Sequence, residues 1–132
     1  GKMMRPRFVS KVMKNGETIM EFPPEVMRQQ IAKEKSIKEL QTILEQVVSV
    51  GLGKKAGSPN FKVAGKTGTA QISKGAGGYK SGGTSYLISF AGYFPADAPR
   101  YSCIVCIQKS GLPASGGTMC GKVFHEISES ES

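Results

Sequence analysis

One short polar stretch in the second half of the chain carries the residue types best suited to chemistry. It reads Lys66-Thr67-Gly68-Thr69. On an extended strand, these residues would bring an ammonium group, hydroxyl groups and an unobstructed glycine backbone close to one another. An anionic ligand could lie along such a strand, with its amide paired to the backbone and its carboxylate bound by the lysine and a threonine hydroxyl. The stretch therefore predicts a binding site on a strand edge.

A second interpretation of this stretch is a phosphate-binding loop, because Gly65-Lys66-Thr67 matches the end of that motif. The motif requires a glycine five residues before Gly65 and a helix whose N-terminus faces the phosphates. Asn60 stands at the first position, and a glycine-rich segment follows where the helix should begin. A nucleotide-binding enzyme is therefore the weakest hypothesis.

The cysteines offer a third candidate site, since Cys103 and Cys106 have the C-x-x-C spacing of redox and zinc sites. They lie in the apolar run 101–107, which has strong strand propensity. Residues three apart on a strand point to opposite faces, so the two sulfurs should share neither a metal nor a bond. We expect these cysteines and Cys120 to be buried apolar thiols, and we predict no metal site.

Composition limits the class of protein. The chain has 132 residues, 39% hydrophobic and 21% charged, as expected for one folded domain. Its net charge of +8 is spread over scattered lysines, so a solvated basic surface is favoured over a nucleic-acid interface. No apolar run reaches the roughly 20 residues that cross a bilayer, and no secretory leader is present. Both ends look cut, so we expect a segment of a longer protein.

Periodicity and turn residues predict the elements that would position the polar stretch. A hairpin within residues 1–24 should turn at Asn15-Gly16. A helix over 36–52 should begin with a capping box formed by Ser36 and Glu39. Strands are expected over 7–14, 17–22, 61–72, 85–95 and 100–109, a glycine-rich loop over 73–85, and a second helix over 117–129.

These elements predict an α+β fold. It consists of an antiparallel meander of three strands over residues 61–109, covering helices and the N-terminal β-hairpin. The apolar side of the hairpin should comprise Val9, Val12, Met13, Ile19 and Phe22. The apolar face of the last helix should comprise Met119, Cys120, Val123, Phe124 and Ile127. We expect the hairpin to be an exposed appendage.

The polar stretch and its flanks resemble a known family. Residues 63–71, Val63-Ala64-Gly65-Lys66-Thr67-Gly68-Thr69-Ala70-Gln71, resemble the K-T-G strand of class B, high-molecular-weight penicillin-binding proteins. Residues 1–6 are similar to the segment that enters the hairpin in this family, and residues 91–95 to the strand after the glycine-rich loop. The resemblance covers nearly the whole chain. It implies the C-terminal part of a peptidoglycan D,D-transpeptidase domain, and thus part of a β-lactamase/transpeptidase-like fold.

The resemblance also implies roles for the polar residues. Lys66 would be catalytic, moving protons and attracting a carboxylate. Thr67, Gly68 and Thr69 would bind substrate: the two threonines would hold the carboxylate of a stem peptide or β-lactam, and the Thr69 N–H would be half of an oxyanion hole. No cofactor is implied.

The catalytic serine of this family is missing from the chain. No serine is followed by lysine three positions later, so there is no S-x-x-K motif. Ser58-Pro59-Asn60 fits S-x-N formally, but it is typical of a turn. His125 lies beside the predicted apolar face, and we expect it to face solvent. The chain alone should therefore be inactive.

Partners and location follow from the resemblance as expectations. The parent would act on peptidoglycan stem peptides, bind β-lactams and work with division or elongation proteins, anchored in the cytoplasmic membrane with this domain outside. The family's strands that pair with 100–109 are absent, so this edge could self-associate. Two alternatives stay open: a β-lactamase or β-lactam sensor of the same fold, and a basic module that binds anions or nucleic acid. We expect no nucleic-acid partner.

Overall fold

The computed structural model describes residues 1–72 and 84–131. It divides into two units, Gly1–Glu39 and Leu40–Ser132. The elements in chain order are β1 (Met3–Met4), β2 (Lys11–Lys14), β3 (Glu17–Glu21), β4 (Val26–Arg28), α1 (Glu34–Ser49), a 3-10 turn (Lys54–Ala56), β5 (Ala64–Ile72), β6 (Ser85–Phe94), β7 (Tyr101–Ser110), a π-helical turn (Gly116–Cys120) and α2 (Gly121–Ser130). The predicted mixed fold with an antiparallel meander is confirmed. Most of the predicted glycine-rich loop lies outside the described residues.

The first unit consists of two small antiparallel ladders, β2 with β3 and β1 with β4. The predicted turn is confirmed: Asn15 has φ 51° and Gly16 has φ 83°, the left-handed values that this turn requires. The hairpin strands are shorter than the predicted 7–14 and 17–22. The β1–β4 ladder was not predicted, because two- and three-residue strands leave no periodicity in a sequence.

The apolar side chains of the first unit are largely exposed. The predicted apolar side of the hairpin illustrates this, since all five of its residues are exposed, from 40% at Val12 to 60% at Ile19. Polar contacts instead join residues 5–7 to residues 22–25. Arg5 forms a 2.7 Å ion pair with Glu25, and the Arg7 guanidinium donates to the Phe22 carbonyl. Hydrogen bonds between paired strands and these exposed polar contacts therefore stabilise the first unit.

Helix α1 begins earlier than its capping signal predicts. The Ile37 N–H donates to the Lys33 carbonyl, so Lys33 precedes the first helical residue, Glu34. The predicted capping box is therefore wrong: Ser36 lies inside the first turn. Ion pairs between residues four apart, Glu34–Lys38 at 2.7 Å and Lys35–Glu39 at 3.9 Å, favour this earlier start by two residues. The helix also ends at Ser49 rather than at residue 52.

The second unit is built on the sheet β5-β6-β7, in which every neighbouring pair is antiparallel. Directly opposed residues share a face, so the register assigns each residue of the sheet to one of its two faces. The core face is lined by Thr67, Ile88, Phe90 and Val105, and the opposite face, called the Lys66 face below, by Lys66, Gly68, Ser89, Ala91, Ile104 and Cys106. The last helix packs on the core face, where Phe90 and Phe124 meet edge to face with ring centroids 4.9 Å apart.

The buried face of the last helix differs from the predicted one. Cys120, Phe124 and Ser128 are fully buried, at a spacing of four residues. Val123 and Ile127, predicted to join them, are 42% and 38% exposed. The helix starts with a π-helical turn, Gly116–Cys120, which shifts the face that follows.

The three cysteines differ in exposure. Cys103 and Cys106 lie on opposite faces of β7, as predicted, and both are free. The expectation of buried thiols holds for Cys120 alone, because Cys106 is exposed and Cys103 half-buried. Burial raises the pKa of the Cys120 thiol, and nearby Cys106 acts in the same direction.

Thiol labelling should follow this order. With excess Ellman's reagent, Cys106 is expected to react first and Cys120 on the order of 100-fold more slowly, since its reaction requires local opening of the core. Mass spectrometry of time points identifies each site. In urea the three rates should converge, and a Cys120 that reacts as fast as Cys106 in the native chain would contradict the burial of this thiol.

Candidate active site

The polar stretch lies within β5, at an edge of the three-stranded sheet. β5 pairs with β6 from Ala64 opposite Tyr93 to Ile72 opposite Ser85, and no other described strand pairs with it. The predicted edge position is therefore confirmed. Because Lys66 lies in the middle of a strand and opens no helix, the phosphate-loop hypothesis is wrong.

The side chains of the stretch alternate between the two faces. Thr67 lies opposite Phe90 and Thr69 opposite Ile88, so both threonines belong to the core face. Lys66 and Gly68 belong to the other face. Lys66 and Thr69 are exposed, whereas Thr67 and Gly68 are half-buried. The strand thus offers polar groups from both faces along one free edge.

The lysine side chain bends toward the neighbouring threonine. Lys66 Nζ donates to the Thr67 carbonyl at 2.8 Å and lies 3.3 Å from Thr67 Oγ1. These contacts bring the ammonium group beside a hydroxyl that lies on the other face of the strand. A positive charge and a hydroxyl donor at one point of a strand edge can bind one carboxylate.

Ser89 is a neighbour of this stretch that sequence reasoning missed. A side chain at Gly68 would overlap the Ser89 hydroxyl on the Lys66 face. We predicted the glycine from the approach of a ligand, and the structure adds this contact with β6. No motif marks Ser89, since only strand pairing brings it beside Gly68.

Ser58-Pro59-Asn60 forms the predicted turn, just before β5. The Ser58 hydroxyl accepts from the backbone N–H groups of Asn60 at 2.9 Å and Phe61 at 3.3 Å. The Asn60 side-chain amide donates to Glu129 Oε2 at 2.9 Å. Hydrogen bonds from Ser58 and Asn60, with nearby His125, lower the pKa of Glu129 against the effect of burial. The turn therefore ties the approach to β5 to helix α2.

His125 is less exposed than predicted. It is half-buried beside Glu129, and its Nδ1 is buried with no hydrogen-bond partner among the described residues. The prediction of a solvent-facing histidine is therefore wrong, because the side chain is half-buried and its Nδ1 is shielded from solvent.

Two other kinds of feature are absent from residues 1–72 and 84–131. No group of three or more His, Cys, Asp or Glu side chains in these ranges is placed to hold a metal ion. Among the helices of the same ranges, none is long and apolar enough to span a membrane.

The sheet edge and its polar stretch agree with a known family. The family model described as "Penicillin binding protein transpeptidase domain" matches residues 1–129. Together, the sheet with a helix on one face and the K-T-G strand at its edge define a chain with the fold of part of a transpeptidase domain. The chain belongs to the family of penicillin-binding protein transpeptidase domains.

Individual relatives show the extent of the similarity. Stage V sporulation protein D of Bacillus subtilis is 33% identical over 103 residues, which is 77% of this chain and 16% of that protein. Penicillin-binding protein PbpB of Mycolicibacterium smegmatis is 32% identical over 96% of this chain and 21% of its own length. The chain thus spans about a fifth or less of these relatives.

A solved structure agrees in fold over the whole chain. The crystal structure of the D,D-transpeptidase domain of a peptidoglycan glycosyltransferase from Eggerthella lenta aligns with a TM-score of 0.71 at 28% identity. The alignment covers 100% of this chain and 29% of that one.

Proposed function

We propose that this chain forms one wall of the active site of a longer peptidoglycan D,D-transpeptidase. The observation that carries the proposal is the edge strand, on which Lys66 Nζ lies 2.8 Å from the Thr67 carbonyl and 3.3 Å from Thr67 Oγ1. The family match supports it, as does the similarity to a solved domain that is itself named a D,D-transpeptidase.

The substrate would lie along the free edge of β5. Its C-terminal carboxylate would be bound by the Lys66 ammonium and by the hydroxyls of Thr67 and Thr69. In an antiparallel strand alternate residues direct both N–H and C=O to the same edge. Because Lys66 reaches the Thr67 carbonyl, we infer that Thr67 and Thr69 direct their backbone groups outward. The Thr69 N–H would then supply one donor of an oxyanion hole.

The reaction would be serine acyl transfer. A serine from another part of the parent would attack the peptide carbonyl of the stem peptide, forming an ester and releasing the terminal residue as an amine. An amine of a neighbouring stem peptide would then attack the ester, forming the cross-link and freeing the serine. A β-lactam would stop at the first ester. Such a parent would act on the outer side of the cytoplasmic membrane, together with division or elongation proteins.

Acylation of the full-length parent tests the role of Lys66. We expect Lys66→Ala to lower the rate of labelling by a fluorescent penicillin about 10²–10³-fold, the loss typical of removing one group that stabilises charge in the transition state. Lys62→Ala is the matched control. Lys62 is exposed and pairs with Glu45 at 2.9 Å, so its loss should change the rate by about a factor of two at most.

The outcomes separate the hypotheses. Slow labelling of Lys66→Ala with normal labelling of Lys62→Ala supports the transpeptidase wall. Equal rates in the two variants would refute the role of Lys66. Rapid hydrolysis of the β-lactam without a lasting adduct would instead indicate a β-lactamase.

A further inference from the structure

The middle of the polar stretch is enclosed on both faces of the sheet. On the Lys66 face, the Ser89 hydroxyl occupies the space where a side chain of residue 68 would lie. On the core face, a Cβ at Gly116 would lie 2.7 Å from the Gly68 carbonyl oxygen. Gly68 is therefore held between a hydroxyl group and the start of the last helix.

The glycine pair Gly116-Gly117 is what allows this helix start to approach the strand. A Cβ at Gly116 would overlap the Ser89 carbonyl oxygen, and one at Gly117 would overlap the Leu52 carbonyl oxygen and lie 3.1 Å from Thr67 Cγ2. Most of these atoms belong to the backbone and cannot rotate away. Both glycines are buried. Any side chain at position 116 must therefore displace β5, β6 or the helix.

Hydrogen bonds to Ser115 also fix the start of this helix. The Ser115 hydroxyl caps it by accepting from the Thr118 N–H at 3.2 Å, and the Ser115 carbonyl accepts from the Met119 N–H at 2.9 Å. One turn later, Cys120 and Phe124 are fully buried in the core. A helix anchored in this way transmits its position to the strand it touches.

We propose that Ser89 and Gly116 are positioning residues that clamp Gly68, that Gly117 packs beside Thr67, and that together they fix the direction of the Thr67 and Thr69 backbone groups at the strand edge. The proposal rests on the proposed function for its catalytic consequence. An oxyanion donor must be aligned with the developing charge, and a misplacement of about 1 Å can cost on the order of 10²-fold in rate. The clamp would supply that alignment without touching the substrate.

The test combines two measurements on Gly116→Ala. In the 132-residue chain, ¹H–¹⁵N spectra should show the amide resonances of Thr67, Gly68 and Thr69 displaced. In the full-length parent, the acylation step with a fluorescent penicillin should slow about 10²-fold, whereas the reversible binding that precedes it should change much less. Lys122→Ala is the control, since Lys122 lies in the same helix and is exposed. It should leave both measurements close to wild type.

A second pair of variants tests the clamp from the other face and covers misfolding of Gly116→Ala. Gly68→Ala alone should displace the amide resonance of Thr67, and adding Ser89→Ala should restore it, because the two Cβ atoms would lie an ordinary 3.8 Å apart. Unmoved Thr67–Thr69 resonances in folded Gly116→Ala, or failure of Ser89→Ala to restore the Thr67 resonance in Gly68→Ala, would overturn the clamp. Displaced resonances with an unchanged acylation step would overturn its catalytic role. A wild-type parent that is never acylated would refute the proposed function, and the resonances would then decide the clamp alone.

Discussion

A fluorescent penicillin is expected to leave the 132-residue chain unlabelled after denaturing electrophoresis. A stable adduct requires a serine activated by a neighbouring base and two N–H donors aimed at the developing oxyanion. The chain has no S-x-x-K sequence, and of its serines Ser58 is occupied in accepting two backbone N–H groups. Thr69 supplies at most one of the donors. Without the nucleophile the covalent path is lost outright.

The full-length parent is the positive control for this experiment. It should form an adduct that survives denaturation and that is prevented by prior treatment with unlabelled penicillin. Reversible binding of a β-lactam to the isolated chain at Lys66 and Thr69 should be weak, and it disappears on denaturation. A denaturation-resistant adduct on the isolated chain, mapped to any serine by mass spectrometry, would show that the nucleophile is present after all.

The strands of the second unit were predictable because their signals are local. Long β-branched and aromatic runs bounded by proline and glycine gave β6 and β7 within a residue or two of Ser85–Phe94 and Tyr101–Ser110. The motif Lys66-Thr67-Gly68-Thr69 was also local, and its polar pattern placed it at a sheet edge. Order within the meander then follows from the tendency of consecutive strands to pair.

The features of the fold and site that were missed depend mainly on contacts between residues distant in sequence. The contact of Gly116 with Gly68 arises only when the last helix packs on the sheet, so no local signal marks the glycine at 116. The start of α1 was misplaced because the helix continues back past Ser36 to Glu34, whose ion pair with Lys38 spans the added residues. The exposed apolar residues of the hairpin show that alternation predicts a strand but not what covers it.

The stability of the second unit should depend strongly on one aromatic side chain. Phe124 is fully buried, and it meets Phe90 at 4.9 Å and Phe94 at 5.7 Å between ring centroids, both edge to face. Phe90 in turn lies opposite Thr67 in the sheet register. The ring of Phe124 thus fills the space between the last helix and β6, the strand that pairs with the one carrying the polar stretch.

We expect Phe124→Ala to lower the free energy of unfolding by about 3–5 kcal/mol, because the change removes a buried ring and leaves a cavity that neighbouring aromatics cannot close. Urea unfolding followed by circular dichroism measures it. Val123→Ala is the matched control, one residue away on the same helix and 42% exposed, and its effect should stay within about 1 kcal/mol. Since a domain of this size has only about 5–15 kcal/mol of stability, the Phe124 variant should be partly unfolded at mild urea concentrations. Equal losses in the two variants would show that the helix packs through its Val123 face instead.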